Sequence, residues 1–443
     1  MGGRLIFKPL SHLPLLISHY SSLISHLSSL ISHLPSIMKK DIRKVLVVNA
    51  GSSSLKYMLF DMKGEKMLCK GLVERIGIPG SRIAYQKAGA DKIVKEVKAP
   101  DHAEALKAVV AAVSDPESGV IKSLKEIDAI GHRVLHGAEV FKDSALMDAK
   151  TLAVCERLVK FGPLHMPPNL GGIKACRKIF PGVPNVGVFD TAFHQTMPDC
   201  AALYAIAPEF YKKMGIRKYG FHGTSHKFVT QAAAKWLKKP LKKVNVVTCH
   251  LGNGSSMAAV KNGEVMDTTM GLTPLAGLIM GTRCGDIDAA AVLSIMKEKG
   301  YTPDEMDTLL NKKSGFQALT GCEGGDCRDM CAKAEKGDIA SITALEMFGH
   351  RCALYVGGYN TLIGGADAIV MTGGIGENSA EGRAQIVKRL GALGIKLDKA
   401  ANNKLHGELG VISTKDSKIP VVVIPTNEEL MIARDTVRVL KAK

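Results

Sequence analysis

Residues 45–64 read VLVVNAGSSSLKYMLFDMKG, and residues 244–263 read VNVVTCHLGNGSSMAAVKNG. Each passes from a β-branched stretch through a Gly/Ser-rich turn into a second strand-like stretch, then reverses at a hairpin bearing Lys and Gly. Two such segments, about 200 residues apart, predict a chain of two related halves. In a two-lobed fold, two facing Gly/Ser turns can hold a polyphosphate between them with backbone N–H groups and hydroxyls. Two unrelated hairpins would look similar, but the equal length of the segments weighs against that.

The remaining pattern is α/β. Strands are expected at Val45–Val48, Leu55–Phe60, Ala129–Ile130, Val186–Phe189, Val244–Thr248, Ala368–Thr372 and Val421–Ile424, several of them ending at turns with Gly, Asn, Asp or Ser. Ala103, Leu106, Val109, Val110 and Val113 share a helical face. A length of 443 residues points to two domains. A chain 46% hydrophobic and 23% charged excludes a disordered tail, a collagen-like fibre and a small disulfide scaffold. No uninterrupted apolar run is long enough to span a membrane, so no membrane partner is expected.

The net charge of +17 invites nucleic acid, but no zinc finger, RNP-type motif or long Lys/Arg run accompanies it. We therefore expect no nucleic-acid partner, and read the charge as serving anionic substrates or a merely basic surface. Ten scattered cysteines fit a reducing cytoplasm. Cys322, Cys327 and Cys331 cluster at a spacing that matches no standard zinc pattern, so they read as ordinary thiols.

Residues 11–37 are a tandem heptad repeat, SHLPLLI-SHYSSLI-SHLSSLI-SHLPSI. A short coiled coil, an interfacial helix and a targeting peptide all fit its apolar spacing. Pro14 and Pro35, with many Ser and His, oppose a helix. The preferred expectation is that 1–40 form an extension outside the fold, with Met38 as a natural start.

Three glycine turns point to a nucleotide. Asn49-Ala-Gly-Ser-Ser-Ser-Leu-Lys56 offers small residues, hydroxyls and a Lys to an anion, although it is neither a P-loop nor a dinucleotide fingerprint. His250-Leu-Gly-Asn-Gly-Ser-Ser256 is the second cradle, and Thr372-Gly-Gly-Ile-Gly-Glu-Asn-Ser379 is a third turn, able to admit a base or ribose. Taken singly, each could be a plain turn. Arg133, in Gly131-His-Arg133, and Arg283, in Met280-Gly-Thr-Arg283, stand at expected strand ends and turns, where they fit a charge clamp for phosphoryl transfer or a surface ion pair. Asp190 and Glu428 are hard oxygen donors suited to Mg²⁺, or else a cap and a surface carboxylate.

These segments, together with Val186–Pro198 (VGVFDTAFHQTMP), Pro163-Leu-His165-x-Pro-Pro-Asn169, Tyr219-Gly-Phe-His222-Gly-Thr-Ser-His226 and Pro425-Thr-Asn-Glu428-Glu, resemble in order the motifs of the acetate kinase family, across about residues 43 to 440. The resemblance implies two duplicated actin-like, ribonuclease-H-like α/β lobes with a nucleotide cleft between them. The first lobe would be 41–191 plus 428–443, the C-terminal helix returning to it, and the second 192–427. It implies a homodimer, ATP/ADP as cosubstrate, Mg²⁺ as cofactor (Mn²⁺ substituting), and acetate and acetyl phosphate as the remaining ligands.

Carried over residue by residue, the resemblance gives Arg133, Arg283, His222, His165 and Asp190 catalytic roles. Leu135, Leu164, Phe221 and Pro274, with Arg133, would surround the acyl group. The nucleotide would meet Asn49, Ser52, Ser54, Lys56, His250, Leu251, Gly252, Asn253, Gly254, Asp326, Cys327, Arg328, Gly373, Gly374, Ile375, Gly376 and Asn378. Asn49 and Glu428 would serve the metal, with Asp190 beside them. Departures from the family pattern are Leu135 for a usual Val, Met166 for Asn, Ala276 for Glu, Ala289 for Pro, and Gly324-Gly325 for a Ser pair. A propionate or other short-chain acyl kinase, a pyrophosphate-dependent relative and a non-catalytic ATPase of the same superfamily are the alternatives.

Overall fold

A computed structural model describes residues 41–442. The heptad repeat and the rest of 1–40 lie outside the described residues. The first sheet comprises β1 (Lys44–Ala50), β2 (Ser54–Asp61), β3 (Lys66–Glu74), β4 (Arg82–Lys87), β5 (Ile93–Glu96), β6 (Ala129–Val134), β7 (Ala145–Leu146) and β8 (Asn185–Phe189), in the order 5-4-3-2-1-6-8-7. The second comprises β9 (Val246–Leu251), β10 (Ser255–Lys261), β11 (Glu264–Thr268), β12 (Ala368–Thr372), β13 (Gly410–Val411) and β14 (Val421–Val423), in the order 11-10-9-12-14-13.

The two sheets repeat one plan. β1 pairs antiparallel with β2 and parallel with β6, which pairs parallel with β8; β9 stands in the same relation to β10, β12 and β14. The repeated segments of the sequence are therefore the corresponding hairpins β1–β2 and β9–β10. Their inner strands are buried on both faces, as a parallel sheet covered by helices requires. Leu46 and Val48 face one core with helix His102–Val113, whereas Val45 and Val47 face another with Ile432 and Ala433. β12 divides likewise, Ile369 and Met371 to one side and Ala368 and Val370 to the other.

The C-terminal helix, Glu428–Lys441, lies against β1, β6 and β8. Gly131 makes that contact possible: a Cβ there would stand 2.5 Å from Thr436 Oγ1 and 2.7 Å from Ile432 Cγ2. Several expected boundaries move, two of them with an identifiable cause. β6 continues through Arg133 to Val134, because Gly131–Val134 stay in register with Val186–Phe189 of β8. Arg133 is thus a strand residue rather than part of a following turn. β9 begins at Val246, not Val244, because Val244 closes the short 3-10 turn of Leu241–Lys243 and bonds to Leu241 O at 3.1 Å.

Candidate active site

The C-terminal ends of β6 and β8 bring Arg133 and Asp190 together. Arg133 donates to Asp190 from Nε, at 3.0 Å to Oδ2, and from Nη2 at 2.6 Å. The Asp190 carboxylate is buried, while the Arg133 side chain stays 30% exposed with donors to spare. The carboxylate pushes the guanidinium pKa further up. The Asp190 backbone is also tied on both sides, its N–H to Val134 O at 3.0 Å and its carbonyl to Gly223 N at 2.9 Å.

That last bond anchors the start of helix Gly223–Trp236, and the residue before it, His222, takes a left-handed φ of 56°. His222 belongs to a chain of side chains. Its Nδ1 lies 2.9 Å from Ser256 Oγ, which is 2.8 Å from His226 Nε2, and His226 Nδ1 is 2.8 Å from Thr248 Oγ1. His222 stacks on His250 with ring centroids 4.3 Å apart, and His250 Nδ1 meets Ser225 Oγ, which donates to Thr426 Oγ1. Burial first, then neighbouring cations and imidazoles, holds the His222 pKa well below the ordinary value, and burial with Arg133 takes His250 to about 4. Both rings are thus held toward the neutral form, and the tautomer of His222 is tied to its bond with Ser256.

Arg283 differs from Arg133. Its Nη1 reaches Pro274 O at 3.3 Å and Met280 Sδ at 3.8 Å, and it has no carboxylate partner among the described residues. Burial lowers its pKa. A Cβ on Gly254 would meet the His222 ring at 3.4 Å and Arg283 Nη1 at 3.7 Å, so the second cradle, His222 and Arg283 share one place. His165 joins them electrostatically, its pKa lowered by burial, then by Arg133 and Arg283.

The second and third glycine turns converge as well. Gly373, at φ 76°, lies where a Cβ would stand 2.7 Å from Leu251 O, and one on Gly252 would come 3.8 Å from Gly374 N. Glu377 clamps this junction, its Oε1 accepting from Thr372 Oγ1 at 3.1 Å, Gly373 N at 2.9 Å and Thr426 N at 3.1 Å. Asn378 donates to Gly374 O at 3.2 Å. On the other side, Gly281 N bonds Asn253 O at 2.9 Å, and Gly325, at φ 67°, sits where a Cβ would be 2.1 Å from Gly281 O. Gly324 and Gly325 are both left-handed, which accounts for glycine where the family usually has a Ser pair.

Some expected residues stand apart. Leu135 and Phe221 share an apolar cluster with Met166 and Met280, but Leu164 is 62% exposed, on the turn before helix Met166–Ile179. It is not part of that apolar wall. Asp326 and Arg328 bind each other, Asp326 accepting from Arg328 Nη2 at 2.6 Å and from its backbone N–H at 2.8 Å. Ser52 and Lys56 are exposed beside Gly51, Asn49 and Ser54 are half-buried, and Cys327 is half-buried on the helix that Asp326 caps. Four supporting residues stand inside the motifs quoted above, yet nothing in their spacing reveals what they support: Glu377, Ser256, Thr426 and Asn169, the last linking Ala50 O to Leu135 N across 2.6 and 3.0 Å.

The family model described as the acetokinase family matches residues 44–434. The chain belongs to the acetokinase family. It is therefore a kinase of a family that uses ATP/ADP and transfers phosphate to a carboxylate. It is 53% identical over 399 residues to an acetate kinase of Thermotoga maritima, covering 90% of this chain and 99% of that one. Among solved structures of acetokinases and their relatives, it matches Porphyromonas gingivalis acetate kinase with TM-score 0.87 at 41% identity, covering 90% and 100% of the two chains. A propionate kinase from Francisella tularensis matches with TM-score 0.83 at 41% identity, over 89% and 99%.

Proposed function

We propose that this acetokinase passes the γ-phosphoryl of ATP directly and reversibly to acetate, giving acetyl phosphate and ADP. One observation carries the reading: Arg283 is a half-buried guanidinium with no carboxylate of its own among the described residues, next to the His222 ring and the second glycine cradle. Such a cation is ready for an anion.

Acetate has a carboxylate pKa near that of Glu, about 4.3, so the nucleophile is already ionised at pH 7 and needs no base. The difficulty is to bring one anion against another. Arg283 and the free donors of Arg133 would hold the carboxylate and the oxygens of the phosphoryl in flight. His222 Nε2–H would donate to those oxygens when its Nδ1 accepts from Ser256, and His165 would assist. Alignment and charge stabilisation suit a loose transition state. Asp190 serves here by holding Arg133, not as the base a sugar kinase would need.

The nucleotide would lie across the three turns, with phosphates at Asn49, Ser52, Ser54, Lys56 and 250–254, and adenosine between 373–378 and 326–328. The residues also fit a hard divalent cation. Burial chiefly pushes Glu428 up to about 7, with Asp190 and Glu429 adding to this and Arg133 and Lys56 opposing it, so three carboxyl groups share this corner with two cations. No group of three or more acidic, His or Cys side chains forms a cage among the described residues, so Mg²⁺ would be held by Glu428 and Asn49 near Asp190 and would keep several waters. When bound, it would neutralise phosphate charge.

Leu135, Phe221 and Pro274 would line the acyl pocket. One methylene is worth about 1–3 kcal/mol, so acetate should be preferred over propionate by a modest factor. The exposure of Leu164 favours propionate as a second substrate. Free thiols at all ten cysteines support a cytoplasmic setting, and exposed Met347 and Leu354, seven residues apart on helix Ile339–Leu362, support a homodimer. We divide the chain into lobes 41–191 plus 428–443 and 192–427, and assign it no nucleic-acid partner.

The test is hydroxylamine trapping of acyl phosphate with Mg-ATP and acetate, propionate or butyrate, with Arg283→Ala and Arg133→Ala as controls. Acetyl hydroxamate from the native chain, largely lost in both variants, is expected. Failure of every acid while ATP still binds would replace the kinase reading with an ATPase.

A further inference from the structure

Cys327 and Cys331 lie one turn apart on helix Cys327–Glu335, their sulfurs 3.8 Å from each other. Both reach the Ser379 hydroxyl, at 3.9 Å from Cys327 and 3.7 Å from Cys331. Neither thiol takes part in the transfer step proposed above. Its position is nonetheless pointed: Cys327 directly follows Asp326, and Ser379 directly follows the Gly373–Asn378 turn and caps the next helix by accepting from Gly382 N at 3.0 Å. The sulfurs therefore join the two walls between which adenosine is placed above.

We propose that Cys327 and Cys331 are a modification site at which a peroxide closes an intrahelical disulfide, and that closure weakens the hold on ATP. The second half of this proposal rests on the nucleotide reading above. Residues four apart on a helix project from the same face, so the two thiols already stand side by side and only a local closure joins them. The half-buried thiols are within reach of a small oxidant. Cys331 is the attacking sulfur: Cys327, which donates to Ser379, and the Ser379 hydroxyl both lie within reach of it, at 3.8 and 3.7 Å, and a hydrogen bond from Cys327 lowers its pKa. The same coupling drives Cys327 up.

The Cys331 thiolate attacks one peroxide oxygen, the O–O bond breaks, a sulfenic acid forms, and the expelled hydroxide takes up the proton that Cys331 had released and leaves as the first water. The Cys327 sulfur then attacks the sulfenic sulfur, and the expelled hydroxide takes the Cys327 proton and leaves as the second water. Two thiols have supplied the two electrons that reduce one peroxide to two waters. The sulfurs must close from 3.8 Å to about 2.05 Å. Ser379 loses its contact with at least one of them, and the strain falls on the start of the helix that Asp326 caps.

The full chain is treated with hydrogen peroxide, blocked with iodoacetamide and digested with trypsin without reductant. Cleavage after Arg328 separates Cys327, in peptide 314–328, from Cys331, in peptide 329–333. A disulfide-linked pair of these peptides, with fragment ions placing the bond at Cys327, is expected. A link through Cys322, or no link at a dose that oxidises exposed Cys200, overturns the proposal. In the hydroxamate assay, the oxidised chain should show an ATP KM raised on the order of five-fold, reversed by dithiothreitol and absent in Cys331→Ser. An unmoved KM in a fully linked chain also overturns it. Failure of the kinase reading would appear separately, as no hydroxamate from the reduced chain, with the peptide map unaffected.

Discussion

Arg133→Gln separates what Arg133 does for the fold from what it does for the reaction. Asp190 is 1% exposed, and its carboxylate accepts from Arg133 at 3.0 and 2.6 Å. Removing the guanidinium leaves that carboxylate buried without its counter-ion, a change that costs about 3–5 kcal/mol. The opening beside Arg133, whose side chain is 30% exposed, lets water recover part of this, so a loss near the lower end, about 3 kcal/mol, is expected. Arg133→Gln/Asp190→Asn removes both charges and should return to within about 1 kcal/mol of the native chain, because no uncompensated ion remains. Activity should not follow stability. A guanidinium on a phosphoryl in flight is worth roughly 10³–10⁵ in rate, and neither variant restores it. Urea unfolding gives the first quantity and hydroxamate formation the second. If the single variant is as stable as the double one, or if the double variant regains turnover, the reasoning fails.

Three further outcomes are expected. Glu428 has its pKa raised from 4.5 to about 7, chiefly by burial, so between those values the folded chain keeps a proton that the unfolded chain has released, and metal-free stability falls as pH rises. Glu428→Gln should therefore raise the metal-free thermal midpoint at pH 8 but not at pH 4.5 while abolishing Mg-dependent transfer; equal shifts at both pH values would refute this. Glu377→Ala strips Gly373 N and Thr426 N of their acceptor and should raise the KM for ATP roughly ten-fold, with the KM for acetate unmoved in the same titrations. Ser256→Ala removes the hydroxyl that sets the His222 tautomer and should lower kcat roughly ten-fold with little change in either KM, as steady-state kinetics would show.

The duplicated plan is legible in the sequence because each hairpin is local: strand, turn and returning strand lie within one short segment. The edge strands are not, since β5 is the exposed IVKE and β7 and β13 are two residues long. Gly131-His-Arg133 reads as a turn, yet Gly131 is a notch cut for a helix that lies far away in the sequence. The cationic residues of the site are visible by type, and the family motifs place them. Their supports are not visible: Glu377 acts on Thr426, and Asn169 acts on Ala50 and Leu135, pairings that have no period along the chain. Leu164 comes to the acyl wall only through the family resemblance, and its exposure separates it from the wall formed by Leu135 and Phe221.

Helix Glu428–Lys441, lying over β1, β6 and β8, has a consequence for how the chain is made. A ribosome delivers Val45, Val47, Ala129 and Val188 long before Ile432 and Ala433, the residues that cover them. The first half must wait, its apolar face bare, while the second half is synthesised and free to close around β9, β12 and β14. A premature stop ahead of Glu428 would then yield no shortened enzyme. It would leave an unroofed sheet, a substrate for chaperones and proteases.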